Sequence, residues 1–270
     1  GAAATILRAV TAELRLLLAH RELLRNFFAR DLNARYKGSV LGVLWSLLNP
    51  FLMMAVYTVA FSQVMRAQPP HGGSYALWFM AGYLPWTFFA MSAQMGSASL
   101  VAHSGLIQKV FFPREVLPIS QALANLVNMG LAFALLFPYA VLEQGFTLRG
   151  LAALVPVTGF LLLFAAGLGT LLSVLTVYFR DLEFLVNIGL TAWFFLTPVI
   201  YPATIVPERL KPLFDLNPMT PFVESYRDVF YDLHAPSPGR IALCALLGIA
   251  VWLATYAIFN RLKGRIAEEL

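Results

Sequence analysis

Charge is scarce in this chain. Asp, Glu, Lys and Arg make up 12% of its 270 residues, against roughly 25% in a soluble domain. With 59% apolar residues and a mean hydropathy of +0.72, the composition is that of an integral membrane protein. Cysteine is scarcer still. Cys244 is alone and sits in an apolar run, which excludes an internal disulfide and a cysteine metal set. His20, His71, His103 and His234 are scattered without ligand spacing. The G-x-x-x-x-G-K-[ST] phosphate loop is missing. No ionisable residue occupies the centre of a long apolar run; Glu115, Glu143 and Glu183 lie at run edges. Ion-coupled pumps place such groups inside the membrane, so uphill transport by this chain needs energy from a partner. The N-terminus lacks the order of a basic start, a short apolar core and a cleavage site. The first apolar run is therefore expected to act as the insertion signal.

Six apolar runs are present, over 40–64, 75–98, 116–142, 151–177, 184–201 and 241–260. Most reach the ~20 residues that a helix needs to cross a bilayer. An N-terminus on the cytoplasmic side puts 13 of the 19 Lys and Arg residues on that side, and both termini with them. The net charge of +5 is spread beside the apolar runs. Lipid phosphate explains it before nucleic acid does.

Ahead of the first run, Leu23, Leu24, Phe27, Phe28 and Leu32 share one helical face, and Arg21, Glu22, Arg25, Asn26 and Arg30 fall largely on the other. That pattern predicts an amphipathic helix on the inner leaflet. The segment 202–239 is too apolar for a solvated loop, and two short helices dipping back into the outer leaflet fit it better. Asp215, Glu224 and Asp228 on this segment read as a solvated helix face. Ala165, Gly169 and Ser173 form a small-residue stripe suited to close helix packing. Neither a repeat nor a linker divides the chain, so one domain is expected.

Two inner segments, 103–118 and 178–184, look suited to contact with a soluble subunit. The first carries Leu106, Ile107 and Val110 on a short helix that ends near Phe111-Phe112-Pro113.

The motifs RDLNARYKGSVLGVLWSLLNPF, GYLPWTFF, LIQKVFFPREVLP, YFRDLEF, TPVIYP and LNPMTPFVESYRDVFY occur in this order. Together they resemble the membrane subunit of ABC-2-type polysaccharide exporters, the family serving O-antigen and teichoic-acid export. The resemblance runs from about Arg30 to the end of the chain. It implies one ABC-2-type transmembrane domain over 1–270: an interfacial segment (1–39), a six-span all-α core (40–260) and a cytoplasmic tail (261–270). It also implies a homodimer with two copies of a separate ATPase, which binds the ATP and Mg. This chain would then hold no cofactor, catalytic residue or metal of its own. A lipid-linked glycan is the implied substrate, and the bacterial inner membrane the implied location.

By motif, Leu106, Ile107, Lys109, Phe111, Phe112, Pro113 and Arg114 would meet the ATPase, with Arg180 and Asp181 in a second contact. Arg30, Asp31, Arg35, Tyr36 and Lys37 would belong to the interfacial helix. Pro218, Pro221, Glu224 and Arg227 would belong to a re-entrant outer gate. Aromatic rings cover the apolar faces of sugars, and a conduit without charge lets a polymer slide. Trp45, Asn49, Tyr57, Phe61, Trp86, Trp193, Phe194 and Tyr201 are the candidate path liners. Asn49-Pro50 is a candidate bend. Two alternatives remain: an exporter of small lipophiles, and a membrane enzyme acting through Asp215, Glu224 or Asp228.

Overall fold

The computed structural model describes residues 22, 25–27, 29–30, 44–64, 66, 69–109 and 112–262. Asp31, Arg35, Tyr36, Lys37, Val110 and Phe111 lie outside the described residues.

Every regular element among the described residues is helical. Helix α1 spans Leu44–Tyr57, contains Pro50, and continues as a π-helical stretch over Thr58–Val64. Helix α2 (Tyr75–Ala102) starts at Ser74, whose hydroxyl accepts from the Leu77 amide. A single turn, α3 (Ser104–Ile107), leads to α4 (Val116–Glu143) and α5 (Leu148–Tyr178). Then come α6 (Leu182–Leu196), a 3-10 turn, the short α7 (Lys211–Asp215), α8 (Thr220–Phe230) and α9 (Pro238–Leu262). The six apolar runs thus correspond to α1, α2, α4, α5, α6 and α9. By length and composition α4, α5 and α9 are able to cross a membrane; Leu48–Val64 and α6 are shorter apolar helices.

Helix α2 is the hub, packed chiefly against α4 and α5, while α5 packs against α9. Glycine sets how closely these helices meet. A Cβ added to Gly96 of α2 would lie 2.8 Å from the Cα of Gly169 on α5. Gly167 meets the Trp252 backbone, and Gly248 meets the Phe160 carbonyl. Apolar lipid supplies little drive for helices to associate, so close van der Waals approach takes over that role. The expected stripe of Ala165, Gly169 and Ser173 is buried in this packing.

At the end holding α3, a second apolar cluster joins Phe27 to Leu100, Ile107, Phe112, Val116, Leu117, Val174, Val177 and Phe259. The amphipathic pattern before α1 is visible here: Phe27 is buried, whereas Glu22, Arg25, Asn26 and Arg30 are exposed. Phe27, the described member of its apolar face, packs on protein, where the sequence pattern predicts lipid.

Candidate functional site

Three features stand out: an aromatic seam, a polar clasp at one end of it, and the segments 103–118 and 178–184 at the other.

Along α2, Tyr75, Phe79 and Tyr83 recur every four residues and therefore share one ridge. Phe79 stacks with Tyr83 at 4.9 Å and with Tyr57 of α1 at 4.7 Å. Phe61 stacks on Tyr75 at 6.3 Å. Phe194 of α6 closes the row against Tyr83 and Trp86, at 6.5 and 5.7 Å. The sequence-predicted liners divide accordingly. Tyr57, Phe61, Trp193 and Tyr201 are half-buried and keep an accessible edge. Trp86 and Phe194 are buried and back the seam from behind. Trp45 and Asn49 lie apart, exposed on α1 in a cleft of about 340 Å³ against α2 and α4.

The clasp begins where α6 breaks at Thr197-Pro198. A helix end leaves carbonyls without partners, and inside a membrane water does not supply them. Here each carbonyl from Phe194 to Ile200 accepts a bond. Phe194 accepts from the Thr197 amide and Thr197 from the Val199 amide. The Tyr201 hydroxyl donates to Phe195, and Asn217 Nδ2 to Leu196 at 2.9 Å. Arg227 donates through Nη1 to Pro198 at 2.5 Å and through Nη2 to Val199 at 2.7 Å. Tyr75 donates to Ile200 at 2.7 Å. Side chains from α2, α8 and the turn before α8 thus finish the end of α6.

Arg227 is the centre of the clasp, with only 2% of its surface exposed. Its Nη1 also reaches Glu224 Oε1 at 2.9 Å. Its guanidinium lies 3.7 Å from the centroid of the Trp78 ring, a cation–π contact. Gly82 makes room for it, since a Cβ there would lie 2.8 Å from Nη2. Residues from GYLPWTFF, TPVIYP and LNPMTPFVESYRDVFY therefore meet at one guanidinium. Asn217 completes the arrangement: its Oδ1 accepts from Trp193 Nε1 at 2.8 Å and from the Met219 amide at 2.9 Å. Pro218 and Pro221 flank Met219 at the start of α8, Pro221 being buried.

The solvated face expected for Asp215, Glu224 and Asp228 is corrected. Asp215 is exposed, but nine of the eleven α8 residues are buried. Asp228 is among them and pairs with Arg240. Its neighbours Asp232 and His234 bring ligand atoms within 4.8 Å of one another and of Asp228, yet the Asp228 charge is already met by Arg240. Burial and the nearby Asp228 charge raise the Asp232 pKa above its ordinary value, against the lowering effect of His234, His71 and Arg227.

At the α3 end, Ile107 and Phe112 are buried in the chain's own cluster and Leu106 is half-buried. Of the apolar residues described in this segment, Ile107 and Phe112 are thus turned into the chain's own core. Lys109, Arg180 and Asp181 are exposed; Pro113 and Arg114 are half-buried. Val174 and Val177 enter the same cluster from α5, so the segments 103–118 and 178–184 meet one apolar base. Arg30 stands 4.7 Å over the Phe27 ring and donates to His103 Nε2, while His103 Nδ1 lies 2.7 Å from the Ser99 carbonyl.

Comparison with known proteins fits this architecture. The ABC-2 type transporter family profile matches residues 22–231. An O-antigen export system permease protein RfbA of Klebsiella pneumoniae is 33% identical over 246 residues, covering 89% of this chain and 92% of that protein. The protein of the same name from Myxococcus xanthus is 34% identical over 256 residues, covering 94% and 97%. The polysialic acid transport protein KpsM of Escherichia coli is 22% identical over 237 residues, covering 85% and 90%. Family match and relatives agree over most of the chain, which belongs to the ABC-2 type transporter family.

Proposed function

We propose that this chain is the permease subunit of an ATP-driven exporter that moves a lipid-linked polysaccharide, O-antigen first and teichoic acid next, across the bacterial cytoplasmic membrane. Six spans, with both termini cytoplasmic, carry the path. Two copies work with two copies of a separate ABC ATPase, and ATP and Mg belong to that subunit. The α7–α8 segment is the re-entrant outer gate, closed over the path by the Arg227 clasp. On the inner side, Lys109, Arg180 and Asp181 offer charged contacts to the ATPase above the shared apolar cluster.

The observation that carries this reading is the seam. It is an uncharged row of rings over α1, α2 and α6, with half-exposed edges on the two loosely covered helices. Rings lie against the apolar faces of sugars, and the lack of fixed charge lets a long polymer move without a deep trap. Helix α6 also fits a homodimer. Its exposed Asn187, Gly189 and Thr191 would meet a second copy in preference to lipid.

Purification of the tagged protein from its native membrane, with an ATPase assay on the complex, tests the reading. A stoichiometric ATPase subunit and loss of surface glycan on deletion are expected. Export of a labelled small lipophile, with surface glycan intact after deletion, would replace the substrate class.

A further inference from the structure

His103 stands at a joint: it closes α2 as its C-cap and opens the single turn α3. Both nitrogens of its ring are engaged, in different directions. Nδ1 lies 2.7 Å from the Ser99 carbonyl of α2. A carbonyl only accepts, so Nδ1 carries the proton and Nε2 presents a lone pair. That lone pair accepts from Arg30, on the segment before α1. The imidazole is thus a short rigid link between α2 and that segment.

Phe27 makes the second half of the junction. Its ring meets His103 edge-on at 6.0 Å and Phe112 at 5.8 Å, and the Arg30 guanidinium covers it at 4.7 Å. His103 precedes α3 and Phe112 follows it. Phe27 therefore touches the chain on both sides of α3. A displacement of α3 has to carry Phe27 and Arg30 with it or break these contacts. From Arg30 the chain leads to Leu44, the start of α1. Helix α1 meets α2 through rings, Tyr57 on Phe79 and Phe61 on Tyr75, and these rings are the seam. Ring contacts of this kind slide more readily than the backbone contact of Gly96 with Gly169 that fixes α2 to α5.

We propose that His103 is a positioning residue of the transport cycle. It ties α3 to the segment before α1, so that a push on α3 moves α1 and shifts the two halves of the seam against each other. The proposal rests on the exporter reading, in which the ATPase supplies the push.

The test uses the complex purified with its ATPase, carrying spin labels on Val56→Cys of α1 and Leu135→Cys of α4, both exposed positions. ATP should change the distance between the labels in the otherwise unaltered protein. His103→Leu should abolish that change and lower glycan export per ATP hydrolysed about fivefold or more, the low end of coupling between sites, while ATP hydrolysis continues. His103→Gln, whose amide is able to donate to Ser99 and accept from Arg30, should restore both. Arg30→Leu, at an exposed position, should give the same loss from the other end of the bond. In that background His103→Leu should change nothing further; an equal effect in both backgrounds would overturn the link. A distance change that survives His103→Leu makes His103 a seat for the segment and nothing more, and overturns the proposal. So does an active complex in which the labels do not move. Both results leave the exporter reading standing. Native-membrane preparations without an ATPase subunit would remove the exporter reading and the proposal together.

Discussion

Helix α2 buries eighteen of its 28 residues, whereas α6 buries two of fifteen. Both are apolar, so hydropathy does not explain the contrast. Small residues do. The α2–α5 and α5–α9 contacts run through Gly96, Gly167, Gly169 and Gly248, where backbones nearly touch. Among the described residues, no atom lies within 4 Å of where a Cβ on Gly189 of α6 would sit. Helix α1 is similarly uncovered, and its π-helical stretch has no buried residue. The molecule therefore divides into a packed group, α2, α4, α5 and α9, and a loosely covered pair, α1 and α6, joined to it through rings and one polar clasp. Surfaces left open by the described residues in this way are the ones the proposed function assigns to a second copy and to a moving substrate.

The sharpest break in that contrast exchanges glycine for leucine on each side. Gly96→Leu has to push apart two backbones, and overpacking costs about 1–3 kcal/mol where the neighbour is able to give. The neighbour here is the backbone of Gly169, so the expected outcome is loss of most folded protein, read as monodisperse material extracted from membranes. Gly189→Leu should extract at wild-type yield. If it also lowers export and weakens dimers in native mass spectrometry, the open face of α6 is an interface. Equal yields from the two variants would remove the distinction.

Next in size is the clasp. Arg227→Met leaves Glu224 without its cation and the Pro198 and Val199 carbonyls without donors. Each stranded buried carbonyl costs about 1–3 kcal/mol, and Glu224, with 30% of its side chain exposed, adds a smaller cost. A large fall in thermal stability and loss of export are expected. Arg227→Lys keeps the charge but gives up the fork that reaches two carbonyls and Glu224, so it should recover stability only in part. Full recovery with Lys would show that charge, not the fork, holds α8 to α6.

A smaller effect is expected at Asn217. Asn217→Leu leaves the Trp193 indole N–H and the Leu196 carbonyl unbonded, at about 1–3 kcal/mol for each group stranded. Trp193→Phe keeps most of the ring and strands nothing, since Asn217 Oδ1 still accepts from the Met219 amide. Asn217→Leu should therefore lower the melting temperature more than Trp193→Phe. The reverse order would mean that the indole ring, not its bond, fastens α6.

These sites were not equally legible in the sequence. The six runs were readable because lipid demands long uncharged stretches, and each helix begins or ends within several residues of its run. Burial of Phe27, Ile107 and Phe112 was not, since an apolar helix face fits lipid, a soluble partner or its own protein equally well. Arg227 stood among acidic residues on a short amphipathic helix, which is also how a solvated face reads. Its partners are mostly backbone carbonyls, which no side-chain pattern advertises. Glu224 three residues earlier and the glycine of GYLP were the available hints.

The smallest expected effect lies on the loop after the tightly packed α8, at Asp232. Its folded pKa stands above the ordinary 3.8, chiefly through burial and then through Asp228. The folded state thus holds this proton more tightly than the unfolded chain does. The resulting stability is fully present below about pH 3.8 and is lost as pH rises through the higher folded value. Asp232→Asn removes the titration. Its melting temperature should exceed that of the wild type at neutral pH, with the gap narrowing as the pH falls through that window. A gap that stays constant with pH would place the proton elsewhere, and one that widens on acidification would make the carboxylate a favourable partner of His71 and His234. Only the second result would join this rim to the clasp as a charged fastening of the packed side.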